Sequence, residues 1–291
     1  MAEITVITVQ FGNPEDTAVL AGSLAKLDGA ESIELIVVDN AAREDSQSRF
    51  EALDHSMPYR VRGFSPAGNL YYWGGASFAL ETIRAEGESP ARWVIICNND
   101  ITIDEPGFLT SLMALDPARY PIVAPSIVSA ATGREQNPLL EEPAGFFKRL
   151  KWRIYDTNFA IATAMLGAHG FLTRLRDDRR PAQHEVYAGN FEKNVYAPHG
   201  ACVILSSQFF ARGGVLDTTV PLYAEELTLA SDAKKRGFPI TFIPRLRVTH
   251  FEHSTTGTEL TPEKYEMQRR ARRHYYSLPK SKTAASHYER R

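Results

Sequence analysis

Short runs of β-branched residues recur along the first half of this chain, each followed by a stretch of helical length. The runs are ITVITV (4–9), IELIVVDN (33–40), YRVRGFS (59–65), RWVIICNND (92–100) and YPIVAPSIV (120–128). Val, Ile and Trp without polar alternation mark strands buried on both faces. Between them, FGNPEDTAVLAGSLAKL reads as a turn and a helix. Asp16 and Thr17 supply its N-cap chemistry, and Val19, Leu20, Leu24 and Leu27 form its apolar stripe. AGNLYYWGGASFALETIRAEG runs from a glycine-marked loop into a helix starting near Gly75, and PGFLTSLMAL is a further helix. Strands alternating with helices at this spacing predict βαβ units and an α/β fold with a mostly parallel sheet flanked by helices.

The strand ends carry the functional question. Gln10 follows the first run, Asp39 and Asn40 end the second, and Asn98, Asn99 and Asp100 end the fourth. A polar turn after a strand is ordinary turn chemistry. Three such ends from one parallel sheet, however, converge on the carboxyl edge where open α/β sheets bind ligands. Phe11 offers a face for a nucleotide base and Asp39 a partner for its edge. A pyrophosphate there needs a divalent cation, and Mg²⁺ or Mn²⁺ takes one or two carboxylates plus phosphate and water. Asp100 meets that need. No G-x-G-x-x-G follows the first run and no G-x-x-x-x-G-K-[ST] occurs anywhere, which disfavours a Rossmann dinucleotide site or a P-loop.

From 131 to 195 the regular pattern gives way to mixed Pro, charge and aromatics, the reading of a substrate-side insertion. VYAPHGACVILSS (195–207) returns to a strand with His199 and Gly200 near its start. A helix follows from near Tyr223, closed by Gly237, then short strands that end at His250 and His253. Thr261 and Pro262 open a last helix, 261–278. The net charge of −2 gives no case for a nucleic-acid binder. Residues 261–291 carry nine Lys and Arg against three Glu, +6 on a body of −8, a basic tail suited to an anionic partner such as a membrane surface. Cys97 and Cys202 lack metal-ligand spacing and read as buried thiols. MAEITVITVQ lacks the parts of a signal peptide, and no apolar run is long enough to span a bilayer, so a cytoplasmic protein is expected, at most peripheral to the inner face of the plasma membrane.

ITVITVQFGN, LIVVDNAA, AGNLYYWGGAS, VIICNNDITI, HGACVILS, GGVLDTTVPLYAEELTLASDAKKRG and VTHFEHSTTG follow one another in an order that resembles family 2 inverting glycosyltransferases of GT-A fold, the rhamnosyltransferase-like branch above all. The resemblance covers roughly residues 3 to 257. It implies a GT-A-like domain over 1–260 with an acceptor-side insertion at 131–195, then a basic C-terminal helix and tail at 261–291. It implies that Gln10, Phe11 and Asp39 meet the nucleoside, that Asn69 to Gly75, including Gly74, lie near the donor sugar, and that Asn98 and Asn99 precede the metal-binding Asp100. Asn98 stands where the family has an acid. His250 matches a late histidine that reaches the metal or diphosphate. The catalytic base falls within Glu225–Glu226, on Glu226 by position, although two acids at a helix start are also favoured by the helix dipole alone. His199 and Trp73 are acceptor-side candidates. The function implied is transfer of a sugar, rhamnose from dTDP-rhamnose as first donor, to a glycan or lipid-linked acceptor in cell-surface polysaccharide synthesis. A non-catalytic nucleotide-sugar or glycan-binding protein is the alternative. A nucleotidyltransferase is a third reading, disfavoured because TVQFGNPED has no basic residue and a single glycine.

Overall fold

The computed structural model describes residues 2–177, 191–252 and 260–279, with side chains described to 168 in the first stretch. Three βα units come first. β1 (Ile4–Gln10) leads to α1 (Pro14–Leu24), β2 (Ile33–Asp39) to α2 (Ser46–Ser56), and β3 (Arg60–Phe64) to α3 (Tyr71–Ala85). β4 (Trp93–Asn98), the short β5 (Ile101–Thr102), α4 (Phe108–Met113) and β6 (Ile122–Ser129) complete the first half. Then come α5 (Phe146–Tyr155), α6 (Phe159–Asp177), β7 (Lys193–Val195), β8 (Cys202–Ser206) and α7 (Ser207–Ala211). α8 (Glu225–Arg236), β9 (Ile240–His250) and α9 (Pro262–Ser277) close the order. Among the described residues the strands make one sheet, ordered β3-β2-β1-β4-β8-β6-β9-β5, with β7 on β9. β3, β2, β1 and β4 are mutually parallel, and β8 enters antiparallel between β4 and β6.

Alternate residues of the strands feed two cores, one on each face. Val6, Leu35, Val37, Trp93 and Ile95 meet Leu20 and Leu24 of α1 and Leu109 and Leu112 of α4. Ile7, Ile36, Val38, Val94 and Ile96 meet Ala76, Leu80 and Ile83 of α3 and Leu229 and Ala233 of α8. This two-sided burial is why the runs lack polar alternation. Cys97 and Cys202, remote in sequence, are register partners across β4 and β8 and are buried free thiols, as expected.

Five local expectations change. α1 begins at Pro14, not at an Asp16–Thr17 cap; Thr17 is buried, its hydroxyl donating to Gln10 Oε1 at 2.7 Å, and Val19 faces solvent. α3 begins at Tyr71, so Gly74 and Gly75 lie in a helix and not in a loop. A Cβ on Gly75 would stand 2.9 and 3.0 Å from the Val9 methyls, so this glycine lets α3 press onto β1. The region after 131 contains two helices, α5 and α6, since Phe146, Leu150 and Ile154 repeat at helical spacing. Pro198, His199 and Gly200 split the expected 195–207 strand into β7 and β8. By contrast Pro244 does not divide β9: the strand absorbs it in a register shift against β6, where Pro125 pairs Ile243 and Ser126 pairs Arg247.

α8 ends at Gly237 in the left-handed region, and the Thr261 hydroxyl caps α9 by accepting from Lys264 N–H at 3.2 Å. α9 is not a detached basic arm. Arg272 grips Asp156 at 2.9 and 3.0 Å, and the Tyr275 and Tyr196 hydroxyls meet at 2.6 Å. Among the described residues no helix is long and apolar enough to cross a membrane.

Candidate functional site

The parallel register lines up the predicted donor residues. Gln10 stands opposite Asp39 and Val9 opposite Asn98. With strands ~4.8 Å apart, Asp39 and Asn98 flank a crevice about 10 Å across, with β1 between them. Asp39 is 1% exposed; its Oδ1 accepts the Ala41 N–H at 3.0 Å and its Oδ2 accepts the Ser46 hydroxyl. Each oxygen keeps a second lone pair for a ligand, in an orientation already fixed. Phe11 lies half exposed just past β1.

Asn40 ties this edge to the next loop. Its Nδ2 donates to the Tyr71 carbonyl at 2.9 Å and its Oδ1 accepts the Leu70 N–H at 3.3 Å. Asn69 Oδ1 accepts the Tyr71 N–H at 2.8 Å, closing a turn in which Tyr71 takes a positive φ of 58°. The Asn69–Gly75 stretch is therefore bound to the end of β2. Two predicted residues stand elsewhere. Trp73, an acceptor-side candidate, is 3% exposed and belongs to the core, because α3 starts early enough to turn it inward. Asn99 commits its amide nitrogen to the Asn13 carbonyl at 2.8 Å and the Thr17 hydroxyl at 3.3 Å, fastening the start of α1.

Asp100 and His250, both buried, meet at the β4 end: Asp100 Oδ1 lies 3.3 Å from His250 Nε2. β5 pairs β9 with Ile101 opposite His250, and the Phe251 N–H donates to the Asp100 carbonyl at 2.9 Å, so backbone ladders set this approach. A relay orients the ring. The Gln136 amide nitrogen donates to Glu252, which turns Gln136 Oε1 toward His250 Nδ1 at 2.8 Å. Nδ1 is then a donor, and in the neutral ring Nε2 keeps its lone pair on the side of the Asp100 carboxylate. Two acceptors this close fit a shared cation, since neighbouring ligands of an octahedral ion with ~2.1 Å bonds sit about 3 Å apart. Among the described residues no cluster of three or more His, Cys, Asp and Glu joins them, so the other positions would fall to phosphate, amide or water oxygens. The pair fits Mg²⁺ or Mn²⁺ held jointly with a diphosphate. Gln136 and Glu252 act as outer partners of the kind that hold a metal-bound histidine in place. His253 lies outside the described residues.

His199, the other predicted acceptor-side residue, lies in the loop 196–201. The Ala201 carbonyl accepts the Asn98 N–H at 2.9 Å, fixing the loop to the end of β4. His199 packs with its ring 6.1 Å from that of His250, and its Nδ1 accepts the Ala201 N–H at 3.2 Å. Burial, then the neighbouring His250, holds His199 down at about 4, so it stays neutral near pH 7. The Gly200 N–H donates to Glu226 Oε1 at 3.3 Å, and a Cβ on Gly200 would stand 2.6 Å from that oxygen. Only glycine leaves the carboxylate there.

Glu225 and Glu226 open α8. Burial first, then the Glu226 charge, raises Glu225 to about 7, against hydrogen bonds from the helix-start N–H groups. Burial likewise raises Glu226, which the Gly200 N–H opposes. The Tyr72 hydroxyl, buried without a hydrogen-bond partner, is pushed well above its ordinary range, by burial first and then by charges that include both glutamates. The structure thus gathers Asn98, Asp100, His199, His250, Glu225 and Glu226, with Gln10, Asp39, Asn69, Gly74 and Gly75 along the adjoining edge. Sequence reasoning placed Asn40 on this edge without a role, and it missed Ser46, Gln136 and Glu252. Asn40 alone left a signal, standing beside Asp39.

No family model matches the chain. The uncharacterized protein y4gI of Sinorhizobium fredii is 25% identical over 242 residues, which is 82% of this chain; the chain spans 23% of that protein's length. Among solved structures, the mannosyltransferase PcManGT from Pyrobaculum calidifontis, in complex with GDP-Man and Mn²⁺, is similar at TM-score 0.54 and 12% identity, over 94% of this chain and 70% of that one. GalNAc-T7 with UDP, GalNAc and Mn²⁺ is similar at TM-score 0.60 and 12% identity, over 96% and 52%. S. aureus TarS 1–349 is similar at TM-score 0.51 and 14% identity, over 87% and 61%. At these identities the likeness is one of fold, and the fold is that of GT-A glycosyltransferases: a mixed α/β layer whose mostly parallel sheet is flanked by helices.

Proposed function

We propose that this chain is an inverting glycosyltransferase. It moves a sugar, rhamnose from dTDP-rhamnose as first candidate, from a nucleotide diphosphate to a glycan or lipid-linked acceptor in cell-surface polysaccharide synthesis, at the cytoplasmic side of the membrane. One observation carries the reading: the His199–Gly200 loop has Glu226 on one side and the His250–Asp100 pair on the other. A proton acceptor and a diphosphate clamp thus meet the same short loop.

Glu226 is the better base of the two, because the Gly200 N–H aims its carboxylate. It takes the proton of the acceptor hydroxyl as that oxygen bonds to the anomeric carbon, while the bond from that carbon to the diphosphate oxygen breaks. Asp100 Oδ1 and His250 Nε2 would hold the divalent ion, which when bound neutralises charge gathering on the departing diphosphate. Asp39 and Phe11 hold the nucleoside at the other end of the edge, and Asn40 keeps the Asn69–Gly75 segment beside the donor sugar. His199, kept neutral, lines the acceptor side without adding charge beside the cation.

A thermal-shift screen of dTDP-, UDP- and GDP-sugars, with and without Mn²⁺ or Mg²⁺, tests the donor half. A metal-dependent rise in Tm with one nucleotide is the expected result, since a ligand bound only by the folded state stabilises it. A nucleotide that binds while no sugar is transferred to any acceptor would favour the non-catalytic binder. No shift with any nucleotide would remove the transferase reading and leave the fold.

A further inference from the structure

Helix α5, FFKRLKWRIY, contains no buried residue, and it carries four basic side chains and no acidic one. At 100° per residue, Phe146, Leu150, Ile154 and Phe147 fall within one arc of ~100°. They are 74, 42, 46 and 83% exposed, respectively. Lys151 borders the arc on one side, with Arg153 and then Arg149 on the other. The opposite face holds the helix to the protein. The Trp152 ring lies 6.3 Å from that of Tyr276, and the Tyr155 ring 6.0 Å from that of Tyr265. Arg272 sits 4.9 Å over Tyr155 while also bound to Asp156 just beyond the helix. α5 is therefore docked by its aromatic side, and the apolar stripe is turned outward by that packing. Beside it, Lys151, Trp152, Tyr155, Leu166, Lys264 and Arg272 line a groove of about 380 Å³ between α5, α6 and α9.

An apolar arc with basic flanks, on a helix anchored from behind, suits the plane of a membrane interface. We propose that α5 docks this protein on an anionic lipid bilayer, Phe146, Phe147, Leu150 and Ile154 entering the acyl boundary and Arg149, Lys151 and Arg153 meeting headgroup phosphates. Charge selects the partner. A second copy packed stripe to stripe would set three cations against three, whereas an anionic surface draws on every one. The docking surface is α5 and not α9: the aromatic residues of α9 point into the protein, with Tyr275 on Tyr196 and Tyr276 on Trp152. This inference does not depend on the donor or the acceptor.

The test is flotation of the full chain with phosphatidylcholine vesicles, with and without roughly one third phosphatidylglycerol. Binding should require the anionic lipid and weaken with salt. Phe146→Ser with Phe147→Ser, and separately Lys151→Glu with Arg153→Glu, should each lower partitioning at least about tenfold at unchanged Tm, because the residues are exposed. Arg270→Glu with Arg273→Glu on α9 should change it less than about threefold. Four results overturn the proposal: no binding to anionic vesicles, binding indifferent to the Phe146–Phe147 change, a parent dimer that this change dissociates, or a fall in its Tm that shows the chain itself covering the stripe. No nucleotide sugar enters the assay, so its failure leaves the transferase reading untouched.

Discussion

On the β1–β2 side of the crevice, the polar groups find partners close in sequence. Gln10 meets Thr17 and Asp39 meets Ser46, each seven residues away. On the β8–β9 side, Gln136 reaches His250 across 114 residues, and Glu226 meets Gly200 across 26. The two sides differ in electrostatics as well. Asp39 accepts two hydrogen bonds that fix its orientation, whereas Glu225 and Glu226 are buried together and raised. An edge that only holds a ligand can be rigid in advance. A base must hold a proton at some pH and release it at another, and burial beside a second carboxylate supplies that tuning.

Several changes would break or sharpen this contrast. The largest effect is expected from Glu226→Gln, which should lower transfer by about 10²–10⁴-fold while nucleotide binding, followed by thermal shift, stays intact. Equal activity would move the base to Glu225 or elsewhere. Gln136→Leu should come next, weakening metal-dependent donor binding by about 10–100-fold by freeing the His250 ring; unchanged metal dependence would remove the relay. Asp39 offers the control, since Ser46→Ala should alter nucleotide affinity without altering its metal dependence.

The acid limb of the rate profile should lie above the ordinary carboxylate range, because burial raises Glu226, with activity rising as the base loses its proton. Stability should run the opposite way. A carboxyl whose folded value is raised from 4.5 to about 7 contributes fully below about 4.5 and loses that contribution as pH rises through 7. Glu225→Gln should then gain on the parent as pH rises, by up to about 3 kcal/mol above neutrality in denaturant titrations. A difference that does not change with pH would remove the raised carboxyl. The smallest expected effect is that of Gly75→Ala, about 1–3 kcal/mol of stability from overlap with Val9, measured as a lower Tm.

Much of the donor side was legible in sequence, because it obeys local rules. An apolar run broken by Asp39-Asn40 or by Asn98-Asn99-Asp100 must end where the chain leaves the sheet, and parallel strands put such ends on one edge. The same logic misplaced Trp73: aromatic residues beside glycines read as a loop, while the chain already turns into α3 at Tyr71. The mixed composition after 131 hid two helices, because α5 meets the protein with Trp152 and Tyr155 and shows its apolar stripe outside, reversing the usual pattern.

By itself, then, the sequence determined the α/β layer, its carboxyl edge and the residue types on it, since buried strands and helix caps are short-range chemistry. Only the tertiary structure decided that Gly200 aims Glu226, that Gln136 and Glu252 choose the nitrogen His250 offers Asp100, and that α5 shows its apolar side to the outside. Each of these depends on which distant segments β8 and β9 bring against β4 and β6, and no local pattern records a contact that exists only once the sheet is closed.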